Sequence, residues 1–294
     1  MSPTISKTTP PVPAIPGRTS RKVWGVVHGA LYHLSQWYCS WLGIRDPFIL
    51  QLPFGLVLKW TNRTSLEEVA AMKMARAAGM PVPKVISCGE HPNSAPFLYS
   101  ILMTRLPGVD LVNMDEPLQV ETEEPWIFEL KECVDAMRQW IPPDPERISS
   151  VLGTQIHSSR VPYHVMGPFA DKSELYDFLL SPASGHSFNS TEEYLKTLKH
   201  ANEIREYPHR ITFTHGDFKA HNILVGVDGH LSGFIDWESG GWCPEYWDFT
   251  TAMRFGRDSW WYQVADWMGG NQYRKELECD RALNKLTVDS YIAF

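Results

Sequence analysis

Three oxygen-bearing side chains in the second half of the sequence have the spacing of a metal and phosphate site. Asp217 and Asn222 follow a short apolar segment, and Asp236 ends the second of two apolar runs that flank Asp228-Gly229. Asp-Gly between two such runs is a strong signal for a β-hairpin. Because a hairpin returns the chain to its starting point, we expect Asp236 to lie beside Asn222 and Asp217. Carboxylate and amide oxygens suit Mg²⁺, which completes its shell with phosphate and water.

This set of donors favours phosphoryl transfer, a reaction that depends mostly on holding phosphate, metal and nucleophile in line. In that reaction Asp217 would accept the proton of the attacking hydroxyl, while Asn222 and Asp236 would hold the metal. Lys219 lies shortly after Asp217 and would reach the transferring phosphate.

The phosphates that are not transferred also need a cation. Lys59 is the obvious candidate because it lies at the end of an apolar run that predicts a strand. Glu68 lies in the helix predicted after that strand and could pair with Lys59. Ser65-x-x-Glu68 and Thr64-x-x-Glu67 both have the pattern of a capping box, so a helix cap is an alternative role for Glu68.

The elements that would position the lysine form a small mixed lobe. Apolar runs at 48–52 and 56–60 predict two strands around a Pro-Phe-Gly turn. The capping boxes predict the start of a helix that ends near Gly79. Another strand, at 98–103, leads to Pro107-Gly108, which predicts a hinge between two lobes.

The remaining segments predict a larger and mainly helical second lobe. Residues 126–200 and 258–294 are expected to be mostly helical, with the hairpin around Asp228-Gly229 between them. Near the start of the chain, residues 23–44 carry no Asp, Glu, Lys or Arg and are long enough to span a bilayer. Apolar positions recur there at helical spacing among His, Ser and Gln residues, so we expect an amphipathic helix over 22–43 and no membrane span. The positions are Val27, Leu31, Leu34 and Tyr38.

Two motifs taken together resemble those of a known family. The pattern His215-Gly216-Asp217-x-x-x-x-Asn222, followed by Ile235-Asp236-Trp237-Glu238, is similar to that of the aminoglycoside phosphotransferase family, within the protein-kinase-like superfamily. The similarity extends from about Phe48 to the C-terminus and is greatest to kinase-like members of unassigned substrate.

The resemblance implies an α+β, protein-kinase-like fold of two lobes. The small N-terminal lobe would hold an antiparallel sheet and one helix, and the larger C-terminal lobe would be mainly helical. We therefore expect a nucleotide-binding lobe over residues 21–105 and a catalytic and substrate-binding lobe over 106–294. Residues 1–20 hold five prolines among Ser and Thr residues and are expected to form a disordered tail.

The resemblance also implies a reaction, the ATP-dependent transfer of a γ-phosphoryl group to a hydroxyl of a small molecule, with ATP and Mg²⁺ as cofactors. The segment from Met103 to Gly108 resembles the hinge that contacts adenine, which makes Met103 and Arg105 candidate nucleotide contacts. The sequence departs from protein kinases at the loop that covers the phosphates of ATP, because no GxGxxG motif precedes Lys59.

Two alternatives stay open on the sequence. The missing Gly-rich loop is compatible with a kinase-like binding module that has weak catalytic activity or none. A metallohydrolase would use as ligands His215, Asp217, His221 and Asp236. We rank this second alternative last because it leaves Lys59 and Asn222 without a role.

The net charge and the cysteine content indicate which classes of partner, metal site and cellular location the sequence favours. Acidic residues number 34 against 27 basic ones, a net charge of −7, which argues against nucleic acid and membrane as partners. Residues 211–294 hold 12 acidic and 7 basic residues, and this net −5 is compatible with a cationic acceptor such as an amino alcohol. The five cysteines include no CxxC pair, so we expect no zinc site, no disulfide framework and a cytoplasmic location. The sequence does not indicate an oligomeric state.

Overall fold

A computed structural model describes residues 5–43, 49–112, 124–254, 256 and 259–292 of the 294-residue chain. Phe48, the predicted start of the first strand, lies outside these ranges, and that strand begins at Ile49.

The small lobe is built on one antiparallel sheet. Its strands are β1 (Ile49–Leu52), β2 (Leu56–Lys59), β3 (Val85–Glu90) and β4 (Tyr99–Thr104). The order β1-β2-β4-β3 places β2, which ends in Lys59, inside the sheet. Leu52 pairs with Leu56 across the turn Pro53–Gly55, which confirms the predicted strand-turn-strand. Because β2 pairs with a neighbour on each side, the backbone of Lys59 is fixed.

Helix α2 (Leu66–Ala77) follows β2 and packs against β3. Ser65 caps its first turn, since the Ser65 hydroxyl accepts a hydrogen bond from the Glu68 backbone N–H at 3.2 Å. The Glu68 side chain takes no part in this cap, so its carboxylate is available to Lys59. Later in the helix, a Cβ on Gly240 of the large lobe would lie only 2.8 Å from the Ala71 Cβ. Glycine at position 240 therefore permits the close approach of the two lobes.

Among its described residues the small lobe has two α-helices, whereas the resemblance implies one. The additional helix, α1 (Arg18–Leu42), packs across β3 and β1. Among the apolar positions that predict it, Leu31 packs against core side chains, whereas Val27 and Leu34 are 39% and 41% exposed. These two side chains point outward because the buried face of the helix is held by His28, which is completely inaccessible to solvent.

Residues 5–17 precede α1 and contact both lobes. Ile5 is buried in the core, and the Ser6 N–H donates a hydrogen bond to the Ala78 carbonyl just after α2. The Trp140 indole N–H, in the large lobe, donates to the Ser6 carbonyl at 3.0 Å. These contacts differ from the disordered tail expected for residues 1–20, and residues 18–20 already belong to α1.

The large lobe is mainly helical. Its helices are α3 (Pro125–Met137), α4 (Lys172–Leu180), α5 (Thr191–Asn202), α6 (Trp247–Met253), α7 (Trp260–Trp267) and α8 (Arg274–Ile292). None of the helices in the described ranges is both long and apolar enough to cross a membrane.

The large lobe also contains short strands. They are β5 (Val109–Asp110), β6 (Ser149–Ser150), β7 (Ile156–His157), β8 (Val165–Met166), β9 (Ile211–Thr214), β10 (Ile223–Val225), β11 (Leu231–Phe234) and β12 (Gly241–Pro244). They form sheets in the orders β11-β10-β5, β6-β12-β9 and β7-β8. Three of them, β6 to β8, interrupt the region 126–200 that was predicted to be mostly helical. The antiparallel pair β10–β11 confirms the predicted hairpin.

One hydrophobic core joins the lobes. It extends from Val57 on β2 and Val69 on α2 to Phe213 on β9 and Trp237 in the turn before β12. The architecture is thus the α+β, two-lobed arrangement that the resemblance implies, with the hinge Pro107-Gly108 between β4 and β5.

Candidate active site

The loop that carries Asp217 directly follows strand β9, and its backbone conformation is tightly constrained. Gly216 has a φ of +82°, and a Cβ at this position would lie 2.2 Å from the Ser239 carbonyl oxygen, so only glycine fits. The buried Asp248 carboxylate accepts hydrogen bonds from the His215 N–H at 3.0 Å and from the Gly216 N–H at 2.7 Å. Burial raises the pKa of Asp248 to about 6, and these two backbone donors oppose that rise.

Hydrogen bonds of the His215 ring connect this loop to the end of the hairpin. Its ring is completely buried and stacks on Phe234 with 4.2 Å between ring centroids. Nε2 lies 2.9 Å from the Ile235 carbonyl oxygen, and Nδ1 accepts from the Asp217 N–H at 3.3 Å. Burial lowers the pKa of His215 to about 4, so the ring is neutral at physiological pH. Since both ring nitrogens are engaged with the backbone, His215 offers no lone pair to a metal, which counts against the metallohydrolase alternative.

Asp217 lies at the centre of a small polar cluster. One carboxylate oxygen is 2.6 Å from the Lys219 ammonium and accepts a hydrogen bond from the Ser159 hydroxyl at 3.2 Å. The Asn222 amide nitrogen donates to the other oxygen at 3.2 Å and to the Asp217 carbonyl at 2.8 Å. The nearest nitrogen of His221 is 3.9 Å away. The structure therefore brings together Asp217, Lys219 and Asn222, and it adds Ser159, which no pattern in the sequence singled out.

The hairpin places Asp236 next to this cluster. The Ile235 N–H donates to the Asn222 carbonyl at 2.9 Å, which places the two ends of the hairpin side by side. Asp236 follows with a φ of +63°, and this left-handed conformation turns its side chain away from the strand direction. Asn222 and Asp236 line the same cleft. Asn222 uses its amide nitrogen on Asp217, so its carbonyl oxygen and the Asp236 carboxylate are oxygen donors of the kind that suits Mg²⁺.

Lys59 lies opposite, surrounded by three carboxylates. Its ammonium is 2.8 Å from Glu68, 2.6 Å from Asp236 and 3.3 Å from Glu238. Burial alone would lower the pKa of Lys59, but the three anions outweigh it and raise the pKa above the ordinary lysine range. Burial raises the pKa of Glu68 to about 7, although Lys59 acts in the opposite direction. The predicted pairing of Lys59 with Glu68 is present.

The charge of Asp236 is stabilised from across the cleft. Burial acts to raise the pKa of Asp236, but the Lys59 ammonium brings it below the ordinary value for aspartate. The pKa of Glu238 is raised instead, first by burial and then by the charge of Asp236. Glu238 also contacts the Arg63 guanidinium at 3.2 Å, and half of the Arg63 side chain is exposed. The sequence motif included Glu238 without a role, and it gave no indication of Arg63.

The cleft between the lobes has a volume of about 680 Å³. Its lining includes six of the eight candidate residues, which are Lys59, Glu68, Met103, Arg105, Asn222 and Asp236. Asp217 and Lys219 are not part of this lining, and Asn222 connects them to it through the two hydrogen bonds described above. The β1–β2 connection is the short turn Pro53–Gly55, whose tip, Phe54, is 99% exposed.

Comparisons with known proteins agree with this fold. The chain matches the phosphotransferase enzyme family over residues 28–278 and belongs to that family. No curated protein sequence matches it significantly.

Several solved structures are similar over most of the chain. Aminoglycoside phosphotransferase APH(4)-Ia is 15% identical, with a TM-score of 0.56 over 88% of this chain and 91% of that one. A thermostable mutant of that enzyme, in a ternary complex with ADP and hygromycin B, is 15% identical, with a TM-score of 0.55 over 88% and 94%. The GDP and kanamycin complex of APH(2")-IIia is 10% identical, with a TM-score of 0.54 over 89% and 92%. At these identities the similarity establishes the fold, which is that of the kinase-like aminoglycoside phosphotransferases.

Proposed function

We propose that this protein transfers the γ-phosphoryl group of ATP to a hydroxyl group of a small molecule. The observation that carries the proposal is the position of Asn222. Its side chain binds the carboxylate of Asp217 and at the same time lines the cleft that holds Lys59 and Asp236. The candidate base is thus joined to the candidate nucleotide site by one side chain.

In the proposed complex, the adenine base lies at the hinge against Met103 and near Arg105. Lys59 contacts the phosphates that are not transferred, and Glu68 holds the Lys59 ammonium in place. Asn222 and Asp236 would hold Mg²⁺, which would neutralise charge on the phosphates. All six residues line the cleft.

Asp217 accepts the proton of the acceptor hydroxyl as its oxygen attacks the γ-phosphorus. The new O–P bond forms while the bond to the leaving ADP oxygen breaks, so the proton ends on Asp217 and the electron pair on ADP. Lys219, 2.6 Å from the Asp217 carboxylate, is close enough to neutralise the transferring phosphoryl group. Ser159 donates a hydrogen bond to Asp217 and orients it.

We further propose that the acceptor is cationic. The last third of the chain has a net charge of −5, from 12 acidic and 7 basic residues. The structurally similar phosphotransferases were solved with hygromycin B or kanamycin. Amino alcohols and amino sugars are therefore the first acceptors to test.

A second candidate function is nucleotide binding with little or no catalysis. The short and exposed turn at Pro53–Gly55 favours it, because this turn lacks the Gly-rich loop that covers the phosphates in protein kinases. Such a module would bind Mg²⁺–ATP and consume none.

A melting screen with Mg²⁺–ATP and Mg²⁺–GTP, followed by a panel of amino alcohols and sugars, tests both candidates. A nucleotide at 100 times its dissociation constant should stabilise the fold by about 2.7 kcal/mol. Stabilisation with acceptor-dependent ADP release and a phosphorylated product in the mass spectrum supports the kinase. Stabilisation without turnover on any acceptor favours the binding module, and the absence of stabilisation by either nucleotide contradicts both.

A further inference from the structure

Helix α1 is anchored to the small lobe through the side that carries His28, Leu31 and Ser35. The His28 ring, buried beneath the helix, hydrogen bonds to Ser100 at 2.6 Å and to Ser87 at 2.9 Å. A Cβ on Gly25 would lie 2.3 Å from the Glu90 carbonyl oxygen, so the helix backbone touches β3 directly. These contacts fix which side of the helix faces outward.

The outward side is apolar. Seven of its residues are exposed: Val23, Val26, Val27, Ala30, Leu34, Trp37 and Trp41. Trp37 and Trp41 are 67% and 76% exposed, and Val26 is 78% exposed. At 100° per residue, the seven positions fall within an arc of about 100°, opposite the anchored side. We call this set the α1 seam.

The spacing of the seam is that of a coiled coil. Positions 23, 27, 30, 34, 37 and 41 are separated alternately by four and three residues, which is the a/d pattern of a heptad repeat. No Asp, Glu, Lys or Arg occurs between residues 23 and 44. Two copies of the seam therefore match each other in period and bring no like charges together.

We propose that α1 pairs with α1 of a second copy of this chain, and that the protein is a homodimer through this helix. Two tryptophans, each more than half exposed, offer on the order of 300 Å². The aliphatic side chains bring the seam to roughly 500 Å² per chain. The pair would bury about 1,000 Å², which is at the lower limit for a specific interface.

Other occupants of the seam fit less well. Residues 5–17 of the same chain are bound elsewhere, at Ala78 and Trp140. An interfacial membrane helix keeps a cationic polar face in water. Here the buried polar residues of the helix, His28 and Ser35, face the sheet, and the cations near its start, Arg18 and Arg21, are each 3.0 Å from Glu90.

The test compares neighbouring positions on one helix. Trp37→Glu puts a charge in the seam, whereas Gln36→Glu puts the same charge on an exposed side chain outside it. Sedimentation velocity over micromolar to near-millimolar concentrations should show the parent and Gln36→Glu as dimers. Trp37→Glu should raise the dimer dissociation constant by about a hundredfold, because two like charges would face each other. Leu34→Glu serves as a second seam variant, and unchanged circular dichroism and melting temperature show that each variant is folded.

The proposal is overturned by a parent chain that sediments as a monomer over the whole range, or by seam variants that remain dimeric. It is also overturned by a monomeric parent that co-sediments through the seam with phosphatidylserine-containing vesicles. Neither activity nor nucleotide binding enters these measurements, so the outcome is independent of the proposed function.

Discussion

The Lys59 ammonium lies 2.6 Å from the Asp236 carboxylate, although the two residues are 177 positions apart in the chain. Lys59 ends a strand of the small lobe, and Asp236 follows the hairpin of the large lobe. Both residues line the cleft between the lobes, and their contact links the predicted phosphate-binding lysine to a predicted metal ligand. It also places three carboxylates around one buried cation.

Replacing Lys59 with an uncharged residue should abolish activity and destabilise the fold. In Lys59→Met, the carboxylates of Glu68, Asp236 and Glu238 would be left without their shared partner. We expect the free energy of unfolding to fall by about 3–5 kcal/mol, the usual result of breaking a buried ion pair from one side. Urea unfolding measures this loss, and Lys84→Met, on the exposed surface of the same lobe, is the control. If Glu238→Gln added to Lys59→Met restored none of the stability, the electrostatic explanation would be wrong.

Asp217→Asn should separate catalysis from nucleotide binding. Loss of the proton acceptor should lower kcat by about 10²–10⁴-fold. The nucleotide-induced melting shift should persist, because Asp217 is not part of the cleft lining. Asp228→Asn, in the exposed hairpin turn, is the matched control. A variant that turns over as fast as the parent would show that Asp217 is not the base.

Arg63 should contribute to phosphate binding in place of a Gly-rich loop. Its side chain is half exposed and lines the cleft, and its guanidinium contacts Glu238. We expect Arg63→Gln to weaken ATP and ADP binding by about tenfold, equivalent to about 1.4 kcal/mol. Adenosine binding should not change, since adenosine carries no phosphate.

Isothermal titration with adenosine, ADP and ATP measures this difference. Arg63→Lys should keep part of the affinity, and Arg147→Gln, on the exposed surface of the large lobe, is the control. Equal losses for adenosine and ATP would assign Arg63 a structural role.

The raised pKa of Glu68 predicts a pH-dependent stability. This pKa is about 7 in the folded protein and 4.5 in the reference state, mainly because of burial. Between these two values the folded state binds more protons than the unfolded state, so the free energy of unfolding should decrease as the pH rises. Glu68→Gln removes this contribution. The stability of the parent relative to the variant should therefore decline between about pH 4.5 and 7 and then level off.

Urea unfolding at a series of pH values measures the decline, with Glu67→Gln at the neighbouring position as the control. Parallel pH curves for the parent and Glu68→Gln would contradict the pKa assigned to Glu68.

Local sequence patterns predicted the elements that hold the site. The hairpin turn at Asp228-Gly229 and the strand that ends in Lys59 are each encoded by a few neighbouring residues. Such short-range signals for turns and strands can be recognised in a single sequence. The juxtaposition of Asn222 with the end of the hairpin followed from the hairpin itself. The pairing of Lys59 with Glu68 could be suggested because the intervening helix start was recognisable.

Contacts that depend on tertiary packing could not be predicted. Ser159 reaches Asp217 from a loop between short strands that the composition did not reveal. Glu238 and Arg63 come from different lobes, so their contact depends on how the lobes pack. Ile5 is buried even though its Pro-rich surroundings are typical of a disordered segment, because apolar surface on the folded lobes covers it.

The N-terminal segment connects the two lobes through the backbone of one residue. Its Ser6 backbone binds Ala78 on one side of the hinge and Trp140 on the other. A movement that separates Ala78 from Trp140 would therefore stretch or break one of these two hydrogen bonds. The segment around Ser6 is thus a tether between the lobes, and deleting it would remove both bonds.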